Sequence, residues 1–285
     1  MRNVDVVVVG LGHAGCEAAL ACARMGLEVL AVTLRADRLG LMSCNPAIGG
    51  PAKGQLVREL DALGGEMAKV ADATGTHFRR LNESKGPAVR ATRALCDREL
   101  YAEEMGRRIR GQPRLEVLEA EVTQLLAEGR RVLGVRAGGT ECYARAVVVT
   151  AGTFLAGVLH FGESSEGGGR AGDAAANELS DSLRVVGLEL ARFKTGTPAR
   201  LDRRTIDWGR TEAQPGDRVA RPLSFSTRVS EGFPRLPQLA CAITHTNPET
   251  HRVVRDNLAR SALFAGRIVG RGPRYCPSLE DKVVR

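Results

Sequence analysis

Long apolar runs are missing from this 285-residue sequence. A membrane-spanning helix needs about 20 consecutive apolar residues, and no stretch approaches that length. A secretory signal is not expected either, because Met1 and Arg2 lead at once into VDVVVVG, where Asp5 interrupts the apolar stretch. With 43% hydrophobic and 26% charged residues, the composition instead predicts folded globular domains, about two at this length, and no membrane partner.

Paired cysteines are also missing. The seven cysteines are odd in number, and none of them forms a CxxC pair or a spacing typical of a disulfide framework. His245 and His251 lie six residues apart with no neighbouring ligand set, so no metal site is expected. This cysteine usage predicts a reducing, cytoplasmic environment.

Lysine is scarce. It occurs at five positions, so the other 36 of the 41 basic residues are arginine, and the formal net charge is +8. A basic surplus suits a polyanionic partner, because cationic side chains bind phosphates and release counterions. A compositional preference for arginine would give the same surplus, so charge alone makes a nucleic-acid partner possible and nothing more.

The first 34 residues have the pattern of a β-strand, a helix and a second strand. Val4–Gly10 is a short β-branched run typical of a buried parallel strand, residues 13–26 favour a helix, and 27–34 favour a strand. The connecting turn reads GLGHAG, in which Gly10, Gly12 and Gly15 match the dinucleotide-binding fingerprint. A glycine-rich turn that binds nothing is the alternative. The acid expected at the end of the second strand is missing, since Thr33 stands there.

Further along, two helices are expected. One begins at Pro51 and ends at Gly64, with one apolar face formed by Leu56, Val57, Leu60 and Leu63. The other covers residues 84–109, is helical after Pro87, and would place Arg90 and Arg93 one turn apart.

Residues 114–155 alternate like strands joined by glycine turns and end in the buried run AVVVTAGT. These elements predict an α/β fold with a doubly wound, Rossmann-like, flavin-binding domain over residues 1–155. A change to a proline-containing, loop-rich composition predicts a second α+β domain over 156–285. Its glycine-rich stretch at 162–173 suits either an anion-binding loop or a mobile surface loop.

Two cysteines occupy positions suited to chemistry. Cys44 precedes an Asn-Pro and a glycine pair in SCNPAIGGPAKG, where the backbone must bend. Cys276 precedes Ser278 and Asp281, which are spaced like a helix-opening capping box; a helix N-terminus favours the thiolate. A half-buried structural cysteine is the alternative for Cys276. Packing roles are expected for the other five, Cys16, Cys22, Cys96, Cys142 and Cys241.

The segments GLGHAG, MSCNPAIGGPAKGQLVRELDALGGEM, LNESKGPAVRATRA, GGRAGD, KTGTPARLD and GPRYCPSLEDKVVR together resemble the MnmG (GidA) family of tRNA-modifying flavoproteins along the whole chain. The resemblance implies binding of FAD, reduction by NADH, and a one-carbon unit from methylenetetrahydrofolate. It also implies a homodimer that works with the GTPase MnmE on the wobble uridine of certain tRNAs.

The resemblance also assigns residues. FAD contacts fall on Gly10, Leu11, Gly12, His13, Ala14, Gly15 and Val122, and a further family serine is Ala176 here. The NAD-associated segment is 272–285, including Gly272, Pro273, Arg274, Tyr275, Pro277 and Ser278. Cys44 and Cys276 match the catalytic cysteines. For thiol addition to uracil carbon 6, we assign the nucleophile to Cys276, although the two could be exchanged. Lys53, Lys85 or Arg90 would stabilise the enolate oxygen.

Members of the resembled family are about twice as long as this chain, so the FAD domain is expected to be incomplete here. Two alternatives to a tRNA-modifying enzyme follow. One is a non-catalytic chain that retains only nucleotide-binding or dimerisation surfaces, and the other is a flavoenzyme that acts on a small molecule.

Overall fold

The computed structural model describes residues 2–270 and 277–284. Within them, the main element is a six-stranded sheet in the order β6-β2-β1-β9-β8-β7. Strands β6, β2, β1 and β9 are parallel, and β7 and β8 pair antiparallel at one edge. The strands of this sheet are β1 (Arg2–Val9), β2 (Val29–Thr33), β6 (Leu115–Glu119), β7 (Val122–Glu128), β8 (Arg131–Ala137) and β9 (Thr140–Val149).

The remaining described elements lie around this sheet. The α-helices are α1 (His13–Arg24), α2 (Lys53–Ala62), α3 (Met67–Thr74), α4 (Arg98–Arg110), α5 (Glu178–Val185), α6 (Pro248–Asp256) and α7 (Leu279–Val284). A three-stranded sheet has the order β3-β5-β4, from β3 (Ala47–Gly49), β4 (Gly75–Leu81) and β5 (Ala91–Cys96). The remaining strands form two antiparallel pairs: β10 (Val158–Phe161) with β11 (Ser164–Gly167), and β12 (Glu212–Gln214) with β13 (Cys241–Ile243).

Strand β1 is buried on both faces, as its continuous valine run predicts. Val6 and Val8 belong to a core shared with helix α1, whereas Val7 and Val9 belong to a second core on the opposite face. The predicted α/β class with a Rossmann-like parallel sheet is therefore confirmed, and the strands expected between residues 114 and 155 are present as β6 to β9.

The helix predicted over 84–109 is wrong in its first half. A short 3-10 turn covers Pro87–Val89, β5 follows, and only α4 is an α-helix. The strand forms because β5 pairs with strands on both sides, which overrides the weak local preference. Asp97 then starts α4, since its carboxylate accepts hydrogen bonds from the backbone N–H groups of Glu99 and Leu100. Arg93 consequently lies in a strand, not one helical turn from Arg90.

Helix α2 is present, but its predicted apolar face is wrong at two positions. Leu56 and Leu63 are exposed, and the buried positions are Gly54, Val57 and Asp61. Asp61 faces inward because its carboxylate accepts hydrogen bonds from the Ser224 hydroxyl and the Phe225 N–H, each at 2.7 Å. A buried carboxylate with two donors thus sets the orientation of this helix more strongly than its leucines do.

Residues beyond 155 still contribute to the second core, on the main sheet. Leu179 and Leu183 of α5 pack with Val7 and Leu30 of the main sheet. The division at residue 155 therefore remains a prediction, because the chain returns to the same sheet after it.

Strand β9 has an edge with no partner among residues 2–270 and 277–284. Residues 142 to 149 pair with β1 on one side, whereas β8 covers only Thr140 to Tyr143 on the other. From residue 144 to 149 the second edge has no paired strand in the described part of the chain, and Val149 is 37% exposed. An interior position of the sheet is thus open to a further strand.

Candidate functional site

The turn between β1 and α1 has the close packing that its glycines predict. Gly10 has a φ of +89°, and a Cβ at Gly15 would lie 1.8 Å from the Gly10 carbonyl oxygen. The Thr150 hydroxyl, at the end of β9, donates a hydrogen bond to that same oxygen at 2.8 Å. By contrast, a Cβ at Gly12 would meet nothing within 4 Å. The turn is therefore fixed from behind and open in front, the shape needed for a phosphate to approach the backbone.

In front of this turn lies a cleft of about 1100 Å³. It runs along the carboxyl ends of β1, β2 and β9, where open α/β sheets bind their ligands. Seven of the predicted site residues line it: Gly10, Leu11, Gly12, His13, Cys44, Lys53 and Val122. Ala176, at the position of the family serine, also lines it. Ala14 and Gly15 form the first turn of α1 behind the lining.

Lys85 and Arg90 do not line this cleft within the described residues. Lys85 is exposed, and its carbonyl oxygen accepts a hydrogen bond from Arg90 Nε at 2.9 Å. Their predicted role beside the substrate therefore gains no support from this arrangement, and Lys53 is the predicted cation that the structure does bring to the cleft.

Cys44 is half-buried in the cleft wall beside the segment 194–200. Its thiol donates to the Gly196 carbonyl oxygen at 3.4 Å, and its own carbonyl oxygen accepts a hydrogen bond from Arg200. The same segment reaches α7, because Lys194 Nζ lies 3.5 Å from Asp281 Oδ2 and its side chain is only 9% exposed. A short stretch of chain thus links Cys44 to the helix that follows residue 276.

The predicted capping box at the start of α7 is confirmed. The Ser278 N–H donates to Asp281 Oδ2 at 3.0 Å, and the Asp281 N–H donates back to Ser278 Oγ at 3.2 Å. Ser278 and Pro277 are half-buried. The predicted site residues Gly272, Pro273, Arg274, Tyr275 and Cys276 lie outside the described residues.

Five cationic side chains line the cleft, and no carboxylate does in the described part of the chain. They are Arg35, Arg38, Lys53, Arg93 and Arg170. Only Lys53 was predicted as a catalytic or binding residue. Arg170 belongs to the glycine-rich stretch at 162–173, which was predicted as either an anion-binding loop or a mobile surface loop. Arg93 was predicted on a helix, whereas it lies in strand β5. This lining favours an anionic ligand.

Asp173 holds three of these arginines from behind. Arg38 Nη1 donates to its Oδ1 at 2.9 Å, Arg170 Nε donates to its Oδ2 at 2.6 Å, and Arg35 lies at 3.5 Å. The Asp173 side chain is 3% exposed. Burial alone would raise the pKa of this carboxyl, but the hydrogen bond from Arg170 and the three positive charges outweigh it and lower the pKa below the ordinary value.

The ring of His13 lies at the turn between β1 and α1. The ring packs edge-on against Tyr101 with centroids 5.6 Å apart, and its buried Nδ1 has no hydrogen-bond partner among the described residues. Burial lowers the pKa of His13, which favours the neutral imidazole. Any attraction of phosphate to this turn therefore comes from backbone N–H groups and the α1 dipole.

The other cysteines differ in their surroundings. Cys16 and Cys96 are buried, and burial raises the pKa of each thiol to about 12, in keeping with a packing role. Cys142 is also buried. Cys241 of β13 is half-buried and lines the cleft, so its packing role stays a prediction.

The parallel sheet, the glycine turn and the cleft beyond the strand ends define an α/β protein of the Rossmann-like class. The sequence profile of the family described as "Glucose inhibited division protein A" matches residues 5–285, and the chain belongs to that family. No helix of the described ranges combines the length and apolar character needed to cross a bilayer.

Curated relatives match the chain almost from end to end. The "tRNA uridine 5-carboxymethylaminomethyl modification enzyme MnmG" of Myxococcus xanthus is 62% identical over 99% of this chain and 46% of its own length. The protein of the same name from Geobacter metallireducens is 54% identical over 100% of this chain and 45% of its own length. The solved structure of Aquifex aeolicus GidA is 49% identical, with a TM-score of 0.90, over 99% of this chain and 48% of that one. The chain thus spans less than half the length of these relatives.

The open position of Gly12 gives a test that separates binding from folding. Gly12→Ala should change the free energy of unfolding by less than about 1 kcal/mol, because its methyl group meets no atom, yet should abolish dinucleotide binding. Gly15→Ala should cost about 2–3 kcal/mol, since its methyl group would overlap the Gly10 carbonyl. Urea unfolding and FAD titration measure the two effects. A Gly12→Ala chain that binds FAD normally would contradict this site.

The lowered pKa of Asp173 predicts a pH-dependent contribution to stability. Its carboxylate stabilises the fold above the unfolded-state pKa of about 3.9, and this contribution is lost as the pH falls through the lower folded-state value. Asp173→Asn should therefore lower the free energy of unfolding by about 2 kcal/mol at pH 7, and this loss of stability should become smaller below about pH 4.

The control for this prediction is Asp181→Asn, because the Asp181–Arg184 pair is exposed and should contribute little. Urea midpoints of both variants and the wild type across this pH range give the measurement. Equal effects of the two substitutions at pH 7 would be inconsistent with a central role for Asp173.

Proposed function

We propose that this chain is the N-terminal part of a FAD-dependent tRNA-modifying enzyme. With the GTPase MnmE, this enzyme adds an aminomethyl or carboxymethylaminomethyl group to carbon 5 of the wobble uridine of certain tRNAs. The observation that carries the proposal is family membership over residues 5–285, with relatives named for this modification. The cleft that joins the glycine turn to Cys44 fits such an activity.

The residues around the glycine turn fit FAD. The open space before Gly12 and the helix N-terminus behind it suit a pyrophosphate. Val122, the first residue of β7, lines the same cleft. FAD, when bound, supplies electron transfer between NADH and the one-carbon unit from methylenetetrahydrofolate. We assign the reductant to the segment 272–285.

The two thiols supply covalent catalysis. A thiolate adds to carbon 6 of the uracil ring, the new C–S bond displaces the ring electrons toward the carbon 4 oxygen, and carbon 5 becomes nucleophilic. We assign this role to Cys276 and the assisting role, as proton carrier or transient covalent partner, to Cys44. The enolate oxygen that forms needs a nearby cation, and Lys53 is the predicted one that lines the cleft.

Family membership supports a proposal about partners and location. We propose a cytoplasmic homodimer that binds tRNA through its cationic surface, for which the net charge of +8 is suitable. A non-catalytic chain that retains only nucleotide-binding or dimerisation surfaces is the second candidate. The edge of β9 from residue 144 to 149 has no partner among the described residues, and such an edge is suited to pairing with another chain.

Substitution of each thiol in a chain extended to the length of the relatives tests the proposal. Cys44→Ser and Cys276→Ser should each abolish wobble-uridine modification, measured by nucleoside analysis of tRNA, while visible flavin absorbance is retained. Cys22→Ser is the matched control, since Cys22 packs beside the core and should leave modification unchanged. Modification that persists in either active-site variant would remove that cysteine from the mechanism. An extended wild-type chain with flavin but no modification would favour the second candidate.

A further inference from the structure

Two arginines face each other on neighbouring strands of the small sheet. Arg79 of β4 is directly opposite Arg93 of β5 in the antiparallel register, so both side chains lie on the same face. Directly opposed residues have Cβ atoms about 4.5–5.5 Å apart. Arg93 lines the cleft, and so do Leu81 and Leu95, which share that face by the two-residue repeat of a strand. Arg79 is not among the residues that line the cleft, but its position opposite Arg93 places it on the same side of the sheet.

Neither arginine has a counter-ion among the described residues. Arg93 Nε is buried without a hydrogen-bond partner in the described part of the chain. A buried donor without an acceptor costs about 1–3 kcal/mol. Like charges directly opposite each other on neighbouring strands are also destabilising. The pair is thus unfavourable by itself and would be stabilised by an anion between the two guanidinium groups.

The surroundings leave room for such an anion. On the other side of β5, Arg93 is opposite Gly49, which presents no side chain and has a φ of +83°. The lining of the cleft includes no carboxylate in the described ranges, so nothing there competes for the guanidinium groups. At about 1100 Å³, the cleft also exceeds the roughly 300–1,000 Å³ of a typical small-molecule site.

The chemistry of the pair favours a phosphate ligand. Planar guanidinium groups bind phosphate oxygens with two parallel hydrogen bonds, and each of the two free oxygens of a phosphodiester can accept hydrogen bonds from one member of the pair. The glycine turn that suits the dinucleotide pyrophosphate belongs to other elements, β1 and α1. Cys44 and Lys53 line the same cleft as Arg93.

We propose that the Arg79–Arg93 pair binds a phosphodiester group of the RNA substrate beside the nucleotide that reacts. This inference rests on the proposed function, because it takes RNA as the molecule that enters the cleft. The pair then has a positioning role: it fixes the RNA backbone while the uracil ring meets the thiol.

The test uses Arg79→Gln and Arg93→Gln, with Arg130→Gln as the matched control. Arg130 is exposed in the turn between β7 and β8 and, like the pair, has no counter-ion in the described part of the chain. The probe is a seven-nucleotide single-stranded RNA that contains uridine, and fluorescence anisotropy at several salt concentrations gives its affinity. Each variant of the pair should bind about tenfold more weakly, with a salt slope lower by about one. The control should match the wild type.

A second measurement excludes a folding defect. Because one of two opposed charges is removed, the melting temperature of each variant of the pair should equal or exceed that of the wild type. Inorganic phosphate should stabilise the wild type more than chloride does at equal ionic strength, and this difference should be smaller in both variants.

The outcomes separate this inference from the proposed function. Unchanged RNA affinity and salt slope in both variants would overturn the phosphodiester site, even if FAD binding and modification stand. Loss of FAD with unchanged RNA affinity would assign the pair to the cofactor and also overturn it. Conversely, weaker RNA binding in both variants would support the anion site. If the wild-type chain also takes up no FAD, that result would count against the flavoenzyme without affecting the anion site.

Discussion

The close approach of helix α1 to the end of strand β1 is the constraint on which the rest of the site depends. Gly15 leaves no space for a side chain against the Gly10 carbonyl, and the Thr150 hydroxyl fixes that carbonyl from the end of β9. The helix N-terminus can therefore be directed at the cleft only if three separate segments meet at this point. Parallel pairing of β1 with β9 brings them together, so the sheet register and the binding turn form one structural unit.

The sequence predicted elements whose signal is local. The strand–turn–helix start, the strands after residue 114 and the capping box of Ser278 and Asp281 follow from short-range patterns, and all are present. Strand β5 was missed because its stability comes from pairing with β3 and β4, which lie outside the segment that was predicted as a helix. That error placed Arg93 on a helix. Likewise, the inward face of α2 depends on donors near residue 224, which the sequence of the helix does not reveal.

The positive charges of the molecule are concentrated at one place, which its composition does not indicate. The net charge of +8 shows only that basic residues are in excess, whereas the structure places five cationic side chains around one cleft. Their main counter-ion, Asp173, lies behind three of them. A buried carboxylate holds these side chains in one orientation without neutralising the surface that a ligand meets. The segment 194–200 then connects this cationic cleft, through Cys44, to the start of α7.

The edge of β9 that no strand of the described residues covers has a consequence for folding. Its backbone amides and carbonyls from residue 144 to 149 are available to an extended polypeptide, and the valines beside them are apolar. Until another strand covers such an edge, a partly folded chain exposes a template for pairing with a second chain, which favours aggregation.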